Sequence, residues 1–100
     1  MEQDKRQRFE ETSTEYLREE GIYSDVEATA LKRVIASTLV HRMERLDLSV
    51  SELAKTLGTS RAAVNRVLDP LNTSLTLNTL VRTAAALGCR VKLDIVVPRE

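Results

Sequence analysis

The chain has 100 residues, enough for one domain with a single modest core, and its 42% hydrophobic and 30% charged residues are a globular composition rather than a disordered one. One cysteine, Cys89, excludes an intrachain disulfide, no apolar run approaches the roughly 18 residues of a membrane span, and the charged start MEQDKRQRFEE lacks the apolar stretch of a signal peptide, so the expectation is a soluble, cytoplasmic protein with no membrane contact. Fifteen Lys and Arg balance fifteen Asp and Glu, but the zero net charge, which by itself argues against a nucleic-acid partner, hides a gradient.

Residues 1–27 hold four bases against nine acids, a net of −5. Residues 28–68 hold seven against three, +4, and residues 69–100 hold four against three, +1. A basic middle behind an acidic arm implies two kinds of contact surface, or simply solvated helix faces; charge alone does not choose. With three aromatics (Phe9, Tyr16, Tyr23), the core falls to Ala, Leu and Val, which favours small helices packed closely.

Taken in order, residues 3–20 read as a helical arm whose narrow stripe is Phe9, Ser13, Tyr16 and Leu17, stopped by Gly21 in a left-handed conformation. Ser24-Asp25-Val26-Glu27 is a capping-box pattern that opens a long helix to about residue 45, with Ala28, Leu31, Ile35, Leu39, Met43 and Leu46 as its apolar face. Lys32, Arg33, Arg42 and Arg45 on that helix read as solubilising charges, and His41 as a surface or interface residue without metal partners. Ser49-Val50-Ser51-Glu52 is a second capping box, opening a short helix that turns Leu53, Ala54 and Leu57 inward and ends at Gly58. Ser60 caps a helix over 61–68, which Asp69-Pro70 terminates because the residue before proline disfavours helix. A loop, Leu71-Asn72-Thr73-Ser74, leads to Thr76 as the cap of a last helix over 77–87, closed by Gly88. Residues 90–97 then alternate, with Val91, Leu93, Ile95 and Val97 apolar and Arg90, Lys92 and Asp94 charged, the pattern of a half-buried strand. A lone strand needs a ladder partner, and the simplest is its symmetry mate in a homodimer. The expected organisation is an acidic helical arm (1–23), a helical domain (24–88) that brings the total to five helices, and a dimerising strand (89–100).

Two short helices joined by Leu57-Gly58-Thr59-Ser60 form a helix-turn-helix signal. Ala54 is small where the helices cross, Gly58 carries the chain through the sharp turn, and Leu53 and Val64 plug the angle between the helices. Arg61, Ala62, Asn65 and Arg66 are left on the outer face of the second helix, where two guanidiniums and an amide suit base edges in a major groove. No glycine-rich phosphate loop, metal-spaced His/Cys set or activated nucleophile is present, so neither an enzyme nor a cofactor or metal is expected.

Residues 51–68 (SELAKTLGTSRAAVNRVL), with TLNTL at 76–80 and AAALG at 84–88, resemble the lambda-repressor-like, Xre-type helix-turn-helix regulators over roughly residues 28–88. More narrowly, the acidic Glu19-Glu20-Gly21-Ile22 ahead of the domain and the terminal strand are similar to small HigA-like antitoxins of type II toxin–antitoxin pairs. The resemblance implies an all-α DNA-binding domain that represses its own operon from a pseudo-palindromic site. Arg61, Ala62, Asn65 and Arg66 match the base-reading positions, and Ser60 caps a helix end that meets a phosphate. Asn72, Thr73 and Ser74 match a loop that touches backbone phosphates. The narrower resemblance implies a RelE/HigB-type toxin as partner, for which the acidic arm offers complementary charge. At Val50 the sequence departs from the pattern, because many relatives place a phosphate-clamping Gln there. A stand-alone regulator without a toxin, or an interaction module that has lost DNA affinity, are the other readings.

Overall fold

The computed structural model describes residues 14–99, and these form four helices and no strand: α1 (Thr14–Leu46), α2 (Val50–Leu57), α3 (Arg61–Leu68) and α4 (Leu77–Ala86). The all-α class stands, with four helices among the described residues instead of five. The expected arm helix and the long helix after it are one element. α1 runs through Gly21 and through the Ser24 capping pattern without a break, and its 33 residues span about 50 Å at 1.5 Å per residue. Residues 1–13, which include Phe9 and Ser13 of the expected stripe, lie outside the described residues.

Continuity of α1 has a physical reason. A break at Gly21–Ser24 would create eight orphan backbone groups, four carbonyls and four N–H groups, and would need a second nucleation. Against that, a serine cap contributes roughly 1 kcal/mol and an interior glycine costs about the same. The Thr29 hydroxyl donates to the carbonyl of Asp25 at 2.9 Å, a back-bond of the kind found along an unbroken helix.

The buried stripe of α1 is rotated from the expected one. Lys32, Ala36, Leu39 and Met43 are buried and Ile35 is half-buried, whereas Ala28, Leu31 and Leu46 are exposed, Leu31 at 58%. The core joins Leu39 and Met43 of α1 to Leu53 and Ala54 of α2, Val64 and Val67 of α3, and Leu87 just beyond α4. α2 packs on both α3 and α4, and α1 lies against α3. Ahead of Leu31, Tyr23 and Val26 of α1 stand in solvent.

Three of the four helices end in the same way. Gly58 and Gly88 take φ of 67° and 73°, and Asp47 after α1 takes 53°. At α2, Gly58 N–H donates to the Lys55 carbonyl at 3.2 Å and Thr59 N–H to that of Ala54 at 2.9 Å, the paired bonds of a Schellman end. Asp47 and Leu48 repeat this after α1, and Gly88 and Cys89 after α4. α3 is the exception: its cap residue, Asp69, is extended and Pro70 follows.

Beyond Cys89, which is half-buried against the core, the chain to residue 99 carries no ladder. The strand expected over 90–97 is therefore not formed. Nothing else among the described residues is a strand to pair with, and Leu93, Ile95 and Val97 stand exposed at 72–78% with Val91 at 40%.

Candidate nucleic-acid interface

α3 is fixed from both sides. Its N-terminus is closed by Ser60, whose Oγ accepts the Ala63 N–H at 3.0 Å. Its inner face inserts Val64 against Leu53 of α2, at 1% and 0% exposure, so the two side chains do plug the interhelical angle. The helix before it is equally well defined: Glu52 N–H donates to Ser49 Oγ at 3.1 Å and Ser49 N–H to Glu52 Oε1 at 3.0 Å, a complete capping box. The Ser49 backbone N–H first, and its side chain second, hold the Glu52 carboxyl below the ordinary glutamate range.

With the inner face committed, Arg61, Ala62, Asn65 and Arg66 are all exposed on the opposite side of α3. Arg66 also borders a groove of about 240 Å³ between α3 and the start of α4, lined further by Asn72, Ser74 and Thr76. The fold thus brings Arg66 together with two of the three loop positions and with the α4 cap, where Thr76 Oγ1 accepts the Thr79 N–H at 3.1 Å. Arg61, Ala62 and Asn65 lie outside the groove lining, and Thr73 is exposed on the same loop.

Two of the expected contact residues already have work inside the protein. The Ser60 hydroxyl is the α3 cap, and Asn72 is half-buried, with its Oδ1 accepting the Ser74 N–H at 2.9 Å to shape the loop. Asp69 does the same one step earlier, its Oδ1 accepting from Leu71 N–H. Val50 is half-buried and packs on the core, so the position at which the sequence departs from the expected phosphate clamp is apolar filling in this chain.

The basic residues of α1 are not uniformly solubilising. Lys32 is 3% exposed, and its ammonium donates to the carbonyls of Arg66 (3.2 Å), Asp69 (2.7 Å) and Asn72. Burial pushes this ammonium below the ordinary lysine value, and the nearby Asp69 carboxylate opposes the shift. Arg42 Nε donates to the Leu87 carbonyl at 2.8 Å, beneath Gly88, where a Cβ would come within 3.2 Å of the Arg42 guanidinium. Arg82 of α4 donates to the Leu57 carbonyl at 3.0 Å. α2, α3 and α4 therefore each end on a cation from another helix, which suits the negative end of a helix dipole. The signal in the sequence was faint: Lys32 stands four residues before Ala36 and seven before Leu39, on the buried face, but a lysine does not announce itself as core.

Helix, tight glycine turn and second helix with an outward polar face define a helix-turn-helix protein of the DNA-binding regulator class. The family model described as "Helix-turn-helix domain" matches residues 22–96, three quarters of the chain, and the chain belongs to that family. No curated protein matches the chain. Nor does any solved structure. Among the described residues no helix is long and apolar enough to cross a membrane, and no group of His, Cys, Asp and Glu side chains could hold a metal ion.

Proposed function

We propose that the protein is a cytoplasmic, non-catalytic transcriptional repressor of the Xre type. It would bind a pseudo-palindromic operator in double-stranded DNA as a homodimer, placing one α3 in each major-groove half-site. The observation that carries this reading is the division of α3 into a face plugged by Val64 and Val67 and an exposed face bearing Arg61, Ala62, Asn65 and Arg66. The apolar tail, Val91, Leu93, Ile95 and Val97, would pair across the dimer, which supplies the missing ladder. As a HigA-like antitoxin it would also capture a RelE/HigB-type toxin through the acidic residues 1–27, whose net −5 charge complements a basic RNA-cleaving protein.

A second reading has two specific observations behind it. Val50 fills the core where a phosphate clamp would stand, and Lys32 and Arg42 spend their charges on carbonyls, which favours an interaction module with little DNA affinity. An anisotropy titration against DNA from directly upstream of its own gene, at two salt concentrations and beside scrambled DNA, separates the two. The repressor binds its own sequence selectively and loses affinity steeply with salt; the module does neither. In the same assay Arg61→Ala is expected to weaken selective binding by roughly 1–3 kcal/mol, the worth of one base contact. An unchanged curve removes Arg61 from the interface.

A further inference from the structure

The end of α3 is where the fold departs from its own rule. α1, α2 and α4 close with a left-handed residue and paired Schellman bonds, but Asp69 is extended and Pro70 has no N–H to give back. In the backbone ladder only Asp69 N–H returns to α3 there, at 3.4 Å to the Arg66 carbonyl. The bond missing from the Schellman pair is the one position 70 would give to the Asn65 carbonyl, and a side chain 34 positions away in sequence ties this end of the helix down by other carbonyls. Lys32 reaches the Arg66 carbonyl, the Asp69 carbonyl and the Asn72 carbonyl with one ammonium, which has three N–H donors for three acceptors. These acceptors span the last turn of the reading helix and the loop behind it. Arg66, Asn72 and Ser74 line the same groove, so the backbone that Lys32 grips also sets where those side chains stand.

We propose that Lys32 is a positioning residue of the DNA interface, holding the C-terminal end of α3 and the 69–72 turn against α1 so that the reading helix and the following loop meet one DNA backbone in register. The inference rests on the DNA-binding reading. A buried lysine is costly to keep where a methionine would fill the same volume, and its three carbonyls are the return on that cost. Arg42 and Arg82 add a cation to ends that are already closed by glycine, whereas Lys32 serves an end that keeps only one of the two Schellman bonds and ties it to the loop that follows.

The test compares full-length wild type with Lys32→Met, Lys32→Arg and a control, Leu39→Ala, which opens the core on the same helix away from the loop. Titrations against the upstream and scrambled DNA are run below the melting range of each variant, beside heteronuclear NOE measurements on the amides of residues 69–75. Lys32→Met is expected to lose roughly five- to a hundred-fold in affinity for the upstream DNA, with scrambled DNA bound as before and the loop amides loosened. Lys32→Arg should recover part of the selectivity, and Leu39→Ala should keep the wild-type ratio of specific to scrambled binding. If Lys32→Met does not fold, Lys32→Gln takes its place with the same readouts. Wild-type selectivity in the Met variant, an unloosened loop, or an equal loss in Leu39→Ala overturns the proposal and leaves the DNA-binding reading standing. A wild type that selects no DNA overturns both.

Discussion

Ser49 and Glu52 close a reciprocal capping box, and it gives a pH dependence with a known sign. Hydrogen bonding from the Ser49 backbone N–H, and less from the Ser49 side chain, favours the charged carboxylate, so the folded pKa lies below the unfolded one. A depressed carboxyl contributes stability above its unfolded pKa and loses it as pH falls through the folded value. Glu52→Gln keeps an acceptor for the Ser49 N–H but removes the charge. It is expected to melt below wild type at neutral pH, and the gap should close in acid once the wild-type carboxyl is protonated. Parallel thermal melts from neutral to strongly acidic pH check this; a gap independent of pH would assign the effect to geometry. At this scale the sequence was highly legible. Ser49, Glu52, Gly58, Ser60, Thr76 and Gly88 each do what their residue types foretell, because caps and left-handed turns are decided within a few positions. Lys32 was not legible, since its role depends on carbonyls 34 to 40 residues away.

Element boundaries separate into those that local chemistry fixes and those settled by competition. α2 and α3 begin and end where their caps predict. α1 does not: a glycine stop and a capping box in succession are overridden, because two good helix-forming segments gain more by joining than either signal provides. The rotation of its buried stripe has a related cause. The large aliphatics Leu31 and Leu46 drew the expected face toward themselves, while the actual contact uses Ala36 and the stem of Lys32, which let α1 approach α3 closely. Gly21→Ala tests the continuous helix directly. In a helix interior the change stabilises by about 0.5–1 kcal/mol, whereas at a left-handed stop it costs about 1–2 kcal/mol. The expected result is a stronger helical signal in far-ultraviolet circular dichroism and slower amide exchange around residue 21. A weaker signal would restore the stop.

For the whole molecule, charge and exposed apolar surface point to what lies outside the single chain. Seven basic residues between 28 and 68 look like an outward field, but Lys32 and Arg42 are turned onto helix ends, leaving Arg33, Arg45, Lys55, Arg61 and Arg66 facing solvent. Any DNA contact then depends on few cations held in place, which favours selective over bulk electrostatic binding. The tail presents the opposite imbalance. Leu93, Ile95, Val96 and Val97 are 72–88% exposed in sequence, and an aliphatic side chain left in water forgoes roughly 1.5–3 kcal/mol each. Among the described residues they have no ladder partner, yet the family match extends to residue 96 and takes in most of this segment. Pairing with the same segment of a second copy satisfies the backbone and removes the apolar surface in one step, and it would place two α3 helices on a common body. Ile95→Asp puts a charge in the middle of that seam. Light scattering is expected to give twice the protomer mass for wild type and the single mass for the variant, with binding to the upstream DNA falling in step because each half-site is then held alone. A variant of unaltered mass, or a wild type that is already a single protomer, would refute the pairing and leave the tail to be covered by a different protein.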